Sequence, residues 1–196
     1  MKRYKLVIFD FDDTIGHLAV RWTDVKKELL DWAGRNGRRI DPSMHVVGIS
    51  NTLSETPEGK KEVDRVFGKY ESECVGKKAY LVFPSMMELM SDLEKAGYTL
   101  AIATGNHVKT VSDILEANGM RKTVAFIAGG DSVRFSKPDP ETLEVIIRRL
   151  GIAKKEAIFI GNSEFDVVAG RDAGIETIKI RTLWEDDVAM LRELLL

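Results

Sequence analysis

Asp10, Asp12 and Asp13 crowd three carboxylates into the run Asp10-Phe11-Asp12-Asp13-Thr14, directly after the apolar stretch Lys5-Leu6-Val7-Ile8-Phe9. Like charges gathered where a strand ends repel one another and lose hydration, so each resists ionisation. A hard divalent cation with oxygen ligands relieves that repulsion. Spacing sorts the group further. In extended chain Asp10 and Asp12 project to one side while Phe11 points to the other, into the core. Two carboxylates on one face can divide the work of nucleophile and proton carrier. A solvated acidic turn after an edge strand is the competing reading, since Asp and Thr are common in turns.

Three later loops carry residues able to complete such a site. Thr104-Gly105-Asn106 offers a hydroxyl, a glycine amide that an anion can approach closely, and the start of a helix. In Phe135-Ser136-Lys137-Pro138-Asp139-Pro140, two prolines restrict the backbone around the ammonium of Lys137. Gly161-Asn162-Ser163-Glu164-Phe165-Asp166 offers several oxygen ligands, and equally suits a helix N-terminus. Taken singly, each loop is ordinary.

These loops need strands to hold them. Lys5 to Phe9, Tyr98 to Ala103, Thr123 to Ala128, Ala157 to Ile160 and Glu176 to Ile180 are short apolar runs of the kind buried on both faces of a parallel sheet. Helical periodicity fills the gaps: Ser85 to Ala96 with Met86, Leu89, Met90 and Leu93 on one face, Val108 to Asn118, Pro140 to Leu150 with Asp139 as its N-cap, and Ala169 to Ala173. Alternating strands and helices specify an α/β fold, a Rossmann-like doubly wound parallel sheet with right-handed crossovers. Its ligands lie beyond the carboxyl ends of the strands, where Asp10 stands. Residues 16–79 break the alternation. Arg21 to Asn36 and Pro57 to Cys74 read as amphipathic helices, the first with Trp22, Val25, Leu29 and Trp32 as its apolar side and the second with Val63, Val66, Phe67 and Tyr70, and no buried strand is expected anywhere between the first strand and Lys78. The expected division is a core of residues 1–15 and 80–196 with a small helical cap, 16–79, inserted after the first strand.

The bulk properties narrow the partners. A net charge of −2 gives no electrostatic case for nucleic acid. The first apolar stretch ends at Asp10, too short for a signal-peptide core or a membrane span. One cysteine, Cys74, cannot form an internal disulfide and fits a reducing, cytoplasmic setting. Hydrophobic residues make up 44% of the chain, enough for a real core and against disorder, and a monomer or homodimer is expected.

Taken together and in this order, Asp10/Asp12, Thr104, Lys137 and Asn162/Asp166 resemble the four motifs of the haloacid dehalogenase (HAD) superfamily, in its phosphoglycolate phosphatase-like branch with a helical cap. The segment Ala169-Gly170-Arg171-Asp172-Ala173-Gly174 is similar to the helix that follows its fourth motif. The resemblance implies a Mg²⁺-dependent phosphatase acting on a small phosphorylated metabolite through an aspartyl-phosphate. It assigns catalysis to Asp10 (nucleophile), Asp12 (general acid/base) and Lys137. Thr104, Gly105, Asn106 and Lys137 would bind the substrate. Asp10, the carbonyl of Asp12, Asn162 and Asp166 would hold the metal. Thr14 would tie the first loop, Asp13 would face away, and Gly16 would give a flexible point beneath the cap. His17, Arg21, His45 and Asn51 stand near the substrate side of that cap, and His107 would cap the helix after the second motif. One departure stands out: the fourth motif usually begins Gly-Asp, and here Asn162 removes one negative charge from the metal site. A phosphomutase, a dehalogenase and a binding module with an impaired metal site are the alternatives.

Overall fold

All five apolar runs enter one parallel sheet. The structure is a computed structural model that describes residues 3–181 and 185–196, so Met1, Lys2 and residues 182–184 of the expected core lie outside the described residues. Its strands are β1 (Leu6–Phe9), β4 (Thr99–Ala103), β5 (Phe126–Ala128), β6 (Ala157–Gly161) and β7 (Glu176–Lys179), in the order β5-β4-β1-β6-β7. β1 is central, paired in parallel with β4 and β6 so that Phe9 lies level with Ile102 and Ile160. The residues that follow, Asp10, Thr104 and Asn162, therefore emerge along one sheet edge.

Alternation along each strand builds two apolar layers. Val7, Phe9, Leu100, Ile102, Ile158 and Ile160 pack on α4 (Pro84–Lys95), α5 (Val108–Ala117) and α8 (Glu185–Leu195). Leu6, Ile8, Ala101, Ala103 and Phe159 pack on α6 (Glu141–Leu150) and α7 (Glu164–Ala173). Each fully buried Leu, Ile or Phe in these layers contributes about 1.5–3 kcal/mol.

Residues 16–79 hold α1 (Trp22–Arg35), α2 (Val46–Leu53) and α3 (Pro57–Gly76). Thr56 caps α3, accepting from Gly59 N at 3.2 Å, with Pro57 opening the helix. Buried Val25, Leu29, Ile49, Leu53, Val63, Val66 and Phe67 join the helices to the first of the two layers.

Several elements differ from expectation. A strand does occur within 16–79: β2 (Gly16–Leu18) pairs antiparallel with β3 (Tyr80–Val82), so a two-stranded ribbon connects the inserted helices to the sheet. Gly16 is fixed there by close approach, since a Cβ would stand 2.5 Å from the Leu81 carbonyl oxygen. Three-residue strands are too short to show a period. α2 and α8 were not expected, and α7 starts at Glu164 rather than Ala169 because Ser163 and Asp166 form a reciprocal capping box. At α6 the N-cap is Pro140, not Asp139; Asp139 still accepts from Glu141 N at 3.0 Å. Trp22 does not join the buried side of α1: it is 37% exposed.

Candidate active site

Lys137 stands at the centre of the sheet edge. Its Nζ donates to Asp10 Oδ1 at 2.6 Å, to Asp166 Oδ1 at 2.6 Å and to the Ala103 carbonyl at 3.0 Å. All three side chains are buried. Burial works against the ammonium, but the two carboxylates outweigh it and raise the Lys137 pKa. Burial also acts on Asp166, where Lys137 and Ser163 prevail and hold the carboxyl below the usual range. Asp10 goes the other way. Burial, with repulsion from Asp166 and Asp12, lifts it above the ordinary carboxylate range despite Lys137.

Asp166 has a second attachment. Its Oδ2 accepts from Ser163 N at 2.9 Å and Ser163 Oγ at 2.6 Å. Gly161 makes room for it, because a Cβ there would meet Asp166 Cγ at 2.5 Å. Both carboxylate oxygens of Asp166 are thus engaged, one in aiming Lys137 and one in starting α7. Asn162, between Gly161 and this cap, is half-buried at the same edge.

Asp12 is held from two sides. Leu18 N, on the ribbon, donates to Oδ1 at 3.1 Å, and Asn106 Nδ2 donates to Oδ2 at 2.5 Å. Burial raises its pKa, against the opposing pull of those two donors. Asn106, expected to touch substrate, lines the cavity and donates to Asp12. Thr104 is fully buried and its Oγ accepts from Asn106 N at 3.1 Å, bending the loop around Gly105. Thr14 is buried, but its hydroxyl has no hydrogen-bond partner, so the expected tie is made by main chain: Thr14 N and Ile15 N donate to Phe11 O. Asp13 adopts φ 57° and its Oδ1 meets His17 Nδ1 at 2.9 Å.

Above these residues lies a cavity of about 290 Å³, bounded by Asp10, Asp12, Gly105, Asn106 and Lys137 below and by the inserted helices above. His17 and His45 line it. Arg21 does not, pairing with Asp24 at 3.1 Å, and Asn51 is occupied elsewhere: its Nδ2 donates to Ser136 O at 2.8 Å while Ser136 N donates to its Oδ1 at 2.9 Å. Arg134 adds to this clasp by donating to the carbonyls of Ser54 and Glu55. His107 sits at the N-cap of α5 without a side-chain cap bond. Its amide is taken by a residue that no sequence pattern singles out. Glu71, fully buried on α3, accepts from His107 N at 2.9 Å and from the Thr110 side chain. Phe165 was likewise not singled out, because nothing local in its loop says that an apolar ring lines the cavity.

A central parallel sheet with an acidic edge, a buried lysine and a helical insertion above them makes this an α/β protein with its polar residues gathered beyond the carboxyl ends of the strands. A family model for haloacid dehalogenase-like hydrolases matches residues 7–180, and the chain belongs to that family. Among curated proteins, a phosphoglycolate phosphatase of Psychrobacter arcticus is 29% identical over 189 residues, covering 89% of this chain and 82% of that one. One of Vibrio parahaemolyticus is 28% identical over 189 residues, covering 87% and 80%. A solved HAD-superfamily hydrolase of subfamily IA from Geobacter sulfurreducens shares the fold with a TM-score of 0.62 at 19% identity, covering 98% of this chain and 97% of that one.

Proposed function

We propose that this hydrolase is a Mg²⁺-dependent phosphatase that cleaves a small phosphate monoester through an aspartyl-phosphate on Asp10. The carrying observation is the pairing at the sheet edge. A buried ammonium lies against Asp10, while two residues along the chain Asp12 is held by an amide of the ribbon and by Asn106. The relatives' names support a phosphatase.

An Asp10 oxygen attacks phosphorus, the ester P–O bond breaks, and the leaving alkoxide takes a proton from Asp12. Asp12 then accepts a proton from water as that water attacks phosphorus and the Asp10–phosphate bond breaks. Burial raises the Asp12 pKa, which suits a carboxyl that must carry a proton near neutrality. Thr104, the Gly105 amide and the start of α5 would receive the phosphate oxygens, and Lys137 offsets the repulsion between phosphate and Asp10.

The donor set fits a divalent cation of modest affinity. Asp10, Asp12 and Asp166 bring three carboxylates against one lysine, an excess of negative charge. No group of three or more acidic, His or Cys side chains among the described residues is arranged to hold a metal alone, so neutral oxygens must contribute. Asp10, the carbonyl of Asp12 and Asn162 would be the residues to hold the ion, with Asp166 committed to Lys137 and Ser163. Mg²⁺ bound there would neutralise charge on the transferring phosphoryl group.

The test is phosphate release from a panel of monoesters with Mg²⁺, run beside Asp10→Asn and Asp12→Asn. Asp10→Asn should lose at least about a thousand-fold in rate. Equal release by wild type and Asp10→Asn would remove Asp10 as nucleophile.

A further inference from the structure

Within the phosphatase reading, we propose that the leaving group is small, apolar and uncharged, of the benzyl or short-alkyl alcohol class, rather than a carboxylate-bearing alcohol such as glycolate. The inference deepens that reading and rests on what surrounds the cavity above Asp10 and Asp12. Its upper wall is Leu18, Trp22, Val46, Val47, Phe67 and Phe165. Two aromatic pairs give it shape. Trp22 and Phe67 lie 5.7 Å apart between ring centroids, both from inserted helices, and His45 meets Phe165 edge-on at 5.5 Å across the seam with the core. Trp22 stays 37% exposed, an apolar ring left at the chamber's mouth. Unburied aromatic surface beside a concave site gains by covering with an apolar ligand. A volume of about 290 Å³ is at the small end for ligand pockets, which suits a phosphate with one compact group attached.

Charge makes the case against an acidic leaving group. Asp10, Asp12 and Asp13 all face the cavity. The cations that face it are each engaged already. Lys137 is shared by Asp10 and Asp166. His17 Nδ1 meets Asp13. His45 Nδ1 accepts from Val47 N at 3.3 Å to cap α2. Lys60 and Arg134, the basic residues next along the seam, line an adjoining cleft that shares Ser50, Phe67, Gly105 and Ser136 with the cavity, and they donate there to the carbonyl of Gly130 and to those of Ser54 and Glu55. A second anion on the leaving group would stand among aromatic carbon and three carboxylates, with His17 and His45 as the basic side chains of the same lining beside the engaged Lys137. The main polar group of the upper wall, the Ser50 hydroxyl, donates to Val47 O at 2.8 Å. Chambers of this kind reject a charge more strongly than they select among apolar groups.

The experiment compares two non-hydrolysable probes, benzylphosphonate and phosphonoacetate, binding to the wild-type chain with Mg²⁺ by calorimetry. Turnover of benzyl phosphate and phosphoglycolate is measured alongside. Benzylphosphonate should bind at least ten-fold more tightly, and kcat/KM for benzyl phosphate should exceed that for phosphoglycolate by the same factor. Phosphonoacetate binding as tightly or more tightly overturns the proposal. Phe165→Ala should weaken benzylphosphonate by a larger factor than phosphonoacetate, and an equal loss for both counts against it. Val47→Arg, which places a cation in the wall, should raise phosphonoacetate affinity about ten-fold. If neither ester is hydrolysed while the probes still discriminate as stated, the phosphatase reading falls and the apolar chamber stands.

Discussion

At the scale of single residues, the site is organised around which charges are already answered. Lys137 holds Asp10 and Asp166 together, and Asp166 is also tied to Ser163, so the charge pattern depends on three segments, those that follow β1, β5 and β6. Asn162 is where this chain departs from the family's usual acidic residue. An added carboxylate there would strengthen attraction for a divalent ion without displacing any hydrogen bond of Asp166. Asn162→Asp is therefore expected to tighten Mg²⁺ binding about ten-fold or more, near 1.4 kcal/mol, measured by titrating activity or heat against Mg²⁺. An unchanged Mg²⁺ midpoint would place the metal away from residue 162. The cluster at Asp10 to Thr14 was legible from types and spacing, because three carboxylates after a buried strand have few structural uses. The hydrogen bond from Asn106 to Asp12 was not, because it joins positions 94 apart, and no local pattern says which way an amide will turn.

Among the elements, α3 and α5 share a buried contact with a pH signature. Glu71 receives the first amide of α5 and the side chain of Thr110, while its other carboxylate oxygen, Oε1, has no partner. Gly68 lets the helix close on His107, whose ring would stand 2.9 Å from a Cβ at that position. Burial raises the Glu71 pKa to about 7 from 4.5, and Asp12 and Asp131 add to the rise against its two donors. The folded form thus holds its proton after the unfolded chain has released it. Stability from this group is full below pH 4.5 and falls as pH climbs towards 7, by up to about 3 kcal/mol. Glu71→Gln should match wild type near pH 4.5 and exceed it by about 1–3 kcal/mol at pH 8, in urea unfolding at both values. Parallel stability curves would show that Glu71 does not titrate between the two states. The sheet strands were readable because β1, β4 and β6 are continuous apolar runs. α2 escaped because Val46-Val47-Gly48-Ile49 carries no helical stripe, and the two ribbon strands because three residues cannot display alternation.

For the whole molecule, the inserted helices and one face of the sheet belong to a single apolar cluster that runs from Val25 and Leu29 through Phe67 to Phe9 and Ile102. Clasps at Asn51–Ser136 and from Arg134 to Ser54 and Glu55 tie the same parts by hydrogen bonds. One cooperative unfolding is expected, with fluorescence of Trp22 and Trp32 in the insertion, read in a Trp184→Phe variant that removes the third tryptophan, and far-UV circular dichroism of the entire chain giving coincident urea midpoints. An earlier fluorescence transition would mean that the insertion melts alone. Organisation at this level was readable as an interruption in the strand and helix alternation, but its means of attachment was not. That attachment has an evolutionary consequence. The chain leaves the sheet along β2 and returns along β3, and Ala19 N bonds to Ala79 O at 3.0 Å, so both ends of the insertion meet at a single doorway. A segment whose ends already touch can be lengthened, shortened or exchanged as a cassette without moving a strand of the catalytic sheet. The architecture thereby lets selection rewrite what enters the chamber while the reaction below it is inherited intact.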